Sequence, residues 1–180
     1  MRHAASFATA LLATALLVAG CGDSTPPSGS ASHSAPPATT TPAAAPKPTG
    51  PLIEWMPAPD GDPAVIAKAE AERAKKDGRA LIVYVGATWC EPCQRFHQAS
   101  TAGEVTGDLP PLRMLEFDLD RDAERLAAAG YSSKLIPLFA VPGPDGRGTD
   151  LRIEGSIKGS GAVSNIVPRL RALLAQARGS

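Results

Sequence analysis

The residues Ala80-Leu81-Ile82-Val83-Tyr84-Val85 form an unbroken apolar run. It is too short for a buried helix and rich in β-branched side chains, so it reads as a strand buried on both faces. A strand with no polar face needs a packed layer on each side, which points to an α/β architecture with helices above and below a sheet. The neighbouring segments fit that frame. Asp62 followed by Pro63 is an N-cap with proline at the first helical position; Ala, Glu and Lys then run to Asp77, and Gly78 ends the pattern, which predicts a helix over 63–76. Leu112 to Phe117 predicts a second strand, Arg121 to Ala129 a polar, Ala-rich helix closed by Gly130, and Leu138 to Val141 a strand ending at the turn signal Pro142-Gly143-Pro144-Asp145-Gly146. Leu151 to Glu154 pairs with that strand as a hairpin, and a last helix is expected over about 162–177. Pro168 falls inside it, so this helix is either kinked or begins later than its composition suggests. At the front, Leu52, Ile53, Trp55 and Met56 read either as an edge strand or as a docking segment. The expected domain is a central mixed sheet flanked by helices over residues 52–180.

Ahead of it the chain has a different character. Met1 to His3 give a short positive start, Ala4 to Ala19 an almost purely apolar stretch, and small residues lead to Cys21, which is the layout of a secretory signal over residues 1–20. The run ends in Gly-Cys-Gly-Asp and turns polar without a stop-transfer flank, so it does not read as a stable membrane span. Val18-Ala19-Gly20-Cys21 resembles the lipobox of bacterial lipoproteins. That resemblance implies cleavage before Cys21 and a diacylglyceryl thioether on its sulfur, which withdraws it from redox chemistry and supplies acyl chains worth about 0.8 kcal/mol per buried methylene. The plainer alternative is an ordinary signal peptide with an incidental cysteine. Between Gly22 and Gly50 there is no Val, Leu, Ile, Met, Phe, Tyr or Trp. Nothing offsets the entropy of ordering there, so residues 21–51 are expected to form a disordered tether from the anchor to the domain. Its prolines favour extended polyproline geometry, about 3.1 Å per residue.

The chain has 180 residues, which suits one core plus appendages. Lys+Arg and Asp+Glu stand at 18 each, so no field gathers polyanions and nucleic acid is not an expected partner. Three cysteines are too few for a disulfide scaffold, and they divide into Cys21 alone and the pair Cys90 and Cys93. A Cys-x-x-Cys directly after a buried strand puts the first sulfur at a helix N-terminus, where free N–H groups and the positive dipole end favour thiolate. Cys90 is then the nucleophile. With a helix over about 91–99, Cys93 follows one turn on, more buried, as the resolving thiol that attacks a mixed disulfide. Two duller readings compete. The pair with His97 could be part of a zinc site, although a second cysteine pair is absent. It could also be a structural disulfide, although so small a loop constrains little of the unfolded chain.

Trp89-Cys90-Glu91-Pro92-Cys93 after a strand resembles the signature of the thioredoxin superfamily, and the resemblance extends from about Pro63 to Ala175. It implies a thioredoxin-like fold and thiol:disulfide oxidoreductase activity. Ile136-Pro137 before a strand is similar to the family's cis-proline, and Gly155 to the glycine completing its substrate groove; with Trp89, these are the implied substrate-binding residues. The sequence departs from the family at the strand position that usually carries a buried, proton-relaying Asp, which is Tyr84 here. The lysine that pairs with that Asp corresponds to Glu116. Glu116 is a candidate proton relay if burial raises its pKa, and otherwise an exposed strand residue. His97 is assigned to solvent. Pro92 removes an N–H and Glu91 adds negative charge, both of which weaken thiolate stabilisation and favour a reductant. The Cys-Glu-Pro-Cys string resembles that of membrane-anchored reductases serving cytochrome c maturation, and the Phe96-His97-Gln98 connection resembles the soluble domain of membrane thiol:disulfide interchange proteins. The expectation is an exported, lipid-anchored monomer facing the periplasm or outer surface of the cell envelope. It reduces or isomerises protein disulfides, is recharged by a membrane electron donor, and uses no metal or organic cofactor. The alternative from another class is a non-catalytic binding or chaperone module on the same scaffold.

Overall fold

Why the central run has no polar side is visible in how its residues alternate. In the computed structural model, which describes residues 47, 50–105 and 109–179, the run lies in strand β2, Ala80–Gly86, and Leu81 through Gly86 are all buried. Ile82 and Tyr84 point into one core with Phe96, Met114, Phe139, Ile166 and Leu170. Leu81, Val83 and Val85 point into the other with Ala67, Leu115, Phe117, Leu126 and Leu138. The period-two alternation thus feeds two apolar layers at once.

In chain order, β1 Ile53–Pro57 precedes α1 Pro63–Lys76 and β2, followed by α2 Glu91–Thr101, β3 Leu112–Asp118 and α3 Leu119–Ala128; β4 Leu138–Pro142, β5 Gly148–Glu154 and α4 Ala162–Gly179 complete it. The strands lie in the order β1-β3-β2-β4-β5, with β1, β3 and β2 parallel, β4 antiparallel to β2, and β5 antiparallel to β4. Helices α2 and α4 cover one face and α1 and α3 the other. This is the thioredoxin-like arrangement that the resemblance implied.

Of the two readings for the front segment, the edge strand holds: Ile53 pairs with Leu112 and Pro57 with Glu116. The buried Arg79 fastens the entry of that strand, its Nη1 donating to the carbonyls of Pro51 at 2.8 Å and Leu112 at 3.2 Å. Helix α1 begins as read, with the Asp62 carboxylate accepting from Ala64 N at 2.8 Å. Helix α3 starts earlier than its composition suggested. The Asp118 carboxylate, at the end of β3, accepts from the N–H groups of Asp120 at 2.9 Å and Arg121 at 3.2 Å and so caps the helix directly. Helix α4 starts at Ala162 and continues through Pro168, so the later start is not adopted. Proline forfeits one helical hydrogen bond there, but the buried Ile166, Leu170, Leu173 and Leu174 hold the helix on the sheet. No helix among the described residues is long and apolar enough to cross a membrane. The signal segment, Cys21 and the tether expected up to residue 51, apart from Lys47, Gly50 and Pro51, lie outside the described residues.

Candidate functional site

The site begins where β2 ends. A Cβ at Gly86 would lie 2.8 Å from the ring of Tyr84, so glycine leaves that phenol room to lie over the strand end. The chain then reaches Cys90, the N-cap of α2, whose Sγ accepts from Cys93 N at 3.3 Å. Pro92 occupies a first-turn position that lacks an intrahelical partner in any case, so Cys93 is left as the donor. The two sulfurs are joined in a disulfide of 2.05 Å with the Cα atoms 5.2 Å apart. Their exposures, 4% for Cys90 and 3% for Cys93, scarcely differ, so in this oxidised form Cys93, expected to be the more buried, is so only marginally. What differs is the surroundings.

On the Cys90 side lies a groove of about 560 Å³ bordered by Trp89, Leu135, Ile136, Gly155 and Ile157. Trp89 is 63% exposed, and its indole N–H donates to Asp120 Oδ2 at 2.9 Å, which fixes the ring at the rim. The Ile136–Pro137 peptide bond is cis. Pro137 itself does not line the groove; its carbonyl accepts from Gly155 N at 2.9 Å and so joins the two walls. Gly155 has a φ of +62°, and a Cβ there would lie 3.0 Å from Leu135 Cβ, so both backbone and space demand glycine. Trp89, Ile136 and Gly155 therefore meet Cys90 around one groove. Leu135 and Ile157, both exposed, went unnoticed in the sequence; Ile157 was signalled as an isolated aliphatic in a polar stretch, whereas Leu135 was hidden at the head of the apolar run that leads into β4.

Glu91 does not crowd Cys90 as its charge suggested. Its carboxylate pairs with Arg95 and accepts from Gly159 N at 3.0 Å. The Arg95 hydrogen bond, then the Gly159 one, hold its pKa below the ordinary glutamate value. Part of its charge is thereby compensated, which lessens its repulsion of a Cys90 thiolate.

On the Cys93 side a second cavity, of about 390 Å³, is lined by Cys93, Tyr84, His97, Glu116, Asp118 and Arg121. Strand register sets Glu116 beside Tyr84. Glu116 is half-buried, and that burial raises its pKa; nearby His97 opposes the rise and Asp118 adds to it. His97 Nε2 lies 3.9 Å from Glu116 Oε2. One face of the imidazole packs on Trp55 at 4.3 Å between ring centroids. Trp55 in turn donates to Ser100 Oγ at 3.0 Å, and Ser100 to the His97 carbonyl at 2.9 Å. His97 is thus placed by its neighbours beside Glu116 and is not a freely solvated side chain. The Tyr84 phenol, buried and near Glu116, is held protonated far above its ordinary value.

No family model matches the chain, and no curated protein matches it. Among solved structures it is similar to a mutant thioredoxin from Halobacterium salinarum, at 18% identity and a TM-score of 0.44, with 71% of this chain and 94% of that chain covered. What the site can do follows from its own geometry.

Chemically, the arrangement offers a sulfur at a helix N-terminus, a second sulfur bonded to it, an apolar groove beside the first, and ionisable groups beside the second. Among the described residues no group of three or more His, Cys, Asp and Glu side chains is arranged to hold a metal ion.

Proposed function

We propose that this chain is an exported, lipid-anchored thiol:disulfide oxidoreductase that reduces or isomerises disulfides in other exported proteins. The observation that carries the reading is Cys90 at the N-cap of α2, bonded to Cys93 and set in the wall of an apolar groove. In the reduced protein the helix N-terminus and Cys93 N–H favour the Cys90 thiolate. That thiolate attacks one sulfur of a substrate disulfide; a Cys90–substrate bond forms, and the other substrate sulfur leaves as a thiolate. Cys93 then loses its proton and attacks Cys90 Sγ, the intramolecular disulfide forms, and the second substrate sulfur leaves. Two electrons have passed to the substrate, whose two thiolates take up two protons.

The second step needs an acceptor for the Cys93 proton. Glu116, sharing a cavity with Cys93, fills that role through water, with His97 steadying the ionised carboxylate. On the other side, the N–H and C=O of Ile136 have no hydrogen-bond partner among the described residues and are free to pair with an extended substrate backbone.

The lipobox-like Val18-Ala19-Gly20-Cys21 supports anchoring of the mature chain through Cys21, with the Pro-rich tether giving the domain reach. A reductase outside the cytoplasm must be recharged, so a membrane dithiol donor returns the two electrons to the Cys90–Cys93 disulfide. The Cys-Glu-Pro-Cys string makes exported apocytochrome c a candidate substrate. Insulin reduction by the full chain tests the central reading: wild type is active and Cys90→Ser is not, and equal activities would overturn it. Mass spectrometry of the mature N-terminus tests the anchor, since an unmodified terminus beyond Cys21 would contradict lipidation.

A further inference from the structure

Of the four large hydrophobic side chains exposed among the described residues, three surround the groove beside Cys90: Trp89, Leu135 and Ile157. Each aliphatic of this trio has a lysine next to it in sequence, Lys134 before Leu135 and Lys158 after Ile157, and both lysines line the same groove. Both are exposed, and neither forms a salt bridge with another described residue, while Lys158 acts electrostatically on Glu91 and helps to lower its pKa. We infer that this groove selects disulfides carried on apolar segments flanked by acidic residues. The inference rests on the oxidoreductase reading and adds the substrate class.

The charge balance around the groove supports it. The carboxylates nearby are already engaged: Glu91 with Arg95 and Gly159 N, Glu154 with Arg152 at 3.9 Å, and Asp120 with the Trp89 indole. Arg169 also lines the groove, its guanidinium donating to the carbonyls of Gly155 at 2.7 Å and Glu154 at 2.8 Å. Counting those partners, the cations Lys134, Lys158, Arg169, Arg95 and Arg152 outnumber the anions Glu91, Glu154 and Asp120, in a chain whose overall net charge is zero. A positive excess thus lies at the surface beside Cys90. An acidic segment gains there without displacing an existing ion pair, and a basic one meets like charge. An anionic membrane shares the apolar and cationic character. The concave shape, the sulfur in its wall and the unpaired Ile136 backbone groups favour an extended peptide chain.

The test uses the reduced full chain and two synthetic peptides, each closed by one intramolecular disulfide with a leucine beside it. The peptides differ only in carrying Glu or Lys at the flanking positions. Stopped-flow tryptophan fluorescence reads the rate at which each oxidises the protein. The Glu peptide is expected to react about tenfold faster at low ionic strength, within the range of electrostatic steering, with the ratio falling toward unity in high salt. Lys134→Glu together with Lys158→Glu reverses the order. Indistinguishable rates for wild type at low salt overturn the inference without any variant, as does a double variant that keeps the wild-type preference. If neither peptide is reduced, the oxidoreductase reading falls and takes this one with it; if both are reduced equally, only the selectivity falls. Equal peptide rates combined with lysine-dependent binding to phosphatidylglycerol vesicles would assign the surface to a membrane and overturn the peptide assignment.

Discussion

The two sulfurs lie at the same depth, 4% and 3% exposed, yet they border opposite kinds of surface. Cys90 opens onto an apolar groove where the one carboxylate in the helix's first turn, Glu91, is held ionised by Arg95 and Gly159. Cys93 opens onto a cavity where one of two carboxylates, Glu116, has its pKa raised by burial. On the proposed reading, attack and resolution are told apart by neighbours and not by burial: one side would receive a chain, the other a proton.

The sharpest way to break that comparison is to remove each sulfur in turn. Cys90→Ser abolishes reduction of substrate disulfides, whereas Cys93→Ser still attacks and then stalls, accumulating a covalent mixed disulfide visible as added mass on non-reducing analysis. If Cys90→Ser is the variant that traps substrate, the roles are reversed and the comparison fails.

Next in size is Glu116→Gln. General acid–base groups contribute typically 10²–10⁴-fold, so loss of this relay slows resolution of the mixed disulfide by about a hundredfold while the initial attack keeps its rate. The pH profile of resolution loses the limb that follows Glu116. Stability moves as well. The folded value is raised, so the folded state holds the proton more tightly than the unfolded chain. The stability Glu116 contributes is therefore present below its ordinary unfolded value and lost as pH rises through the raised folded value. Chemical denaturation across that window shows the loss in wild type and not in Glu116→Gln; parallel curves would show that Glu116 is an ordinary surface carboxylate.

Gly155→Val probes the other side. At a φ of +62°, and with Leu135 Cβ 3.0 Å from the new Cβ, the substitution costs about 1–3 kcal/mol of stability, and it narrows the groove. Thermal melting reads the first effect. Peptide-disulfide reduction reads the second, which falls while the pH profile of resolution stays in place. A variant that altered both sides together would mean that the two surfaces are not separable.

What the sequence revealed divides along the same line. The buried run of β2, the Asp62-Pro63 helix start and the cysteine pair were legible because each is a local signal. Trp89, Ile136 and Gly155 were legible through resemblance, and they do gather around Cys90. The proton side was half legible: the resemblance set Glu116 opposite Tyr84, and the register agrees. Its half-burial and its approach to His97 were not, because they depend on how α2 lies across β1 and β3, with Trp55 packed against the imidazole. The early start of α3 was hidden for a simpler reason. Asp118 looks like the end of a strand, and the apolar Leu119 after it disguises a helix cap.

The smallest expected effect belongs to Glu91, and it has the opposite sign to that of Glu116. Its folded value is depressed, so the unfolded chain binds the proton more tightly, and the stability it contributes is present above the ordinary glutamate value. That contribution disappears as pH falls through the lowered folded value. Because Glu91 sits at the surface, its hydrogen bond to Gly159 N acts mainly by holding the first turn of α2 against the loop before α4. Glu91→Gln should therefore lower the melting temperature slightly at neutral pH, with the gap to wild type closing in acid, whereas Glu116→Gln gains on wild type as pH rises through the raised Glu116 value. Were the two variants to shift in the same direction with pH, the opposed electrostatics of the two sides would be lost, and with them the physical basis for assigning attack to Cys90 and proton transfer to the surroundings of Cys93.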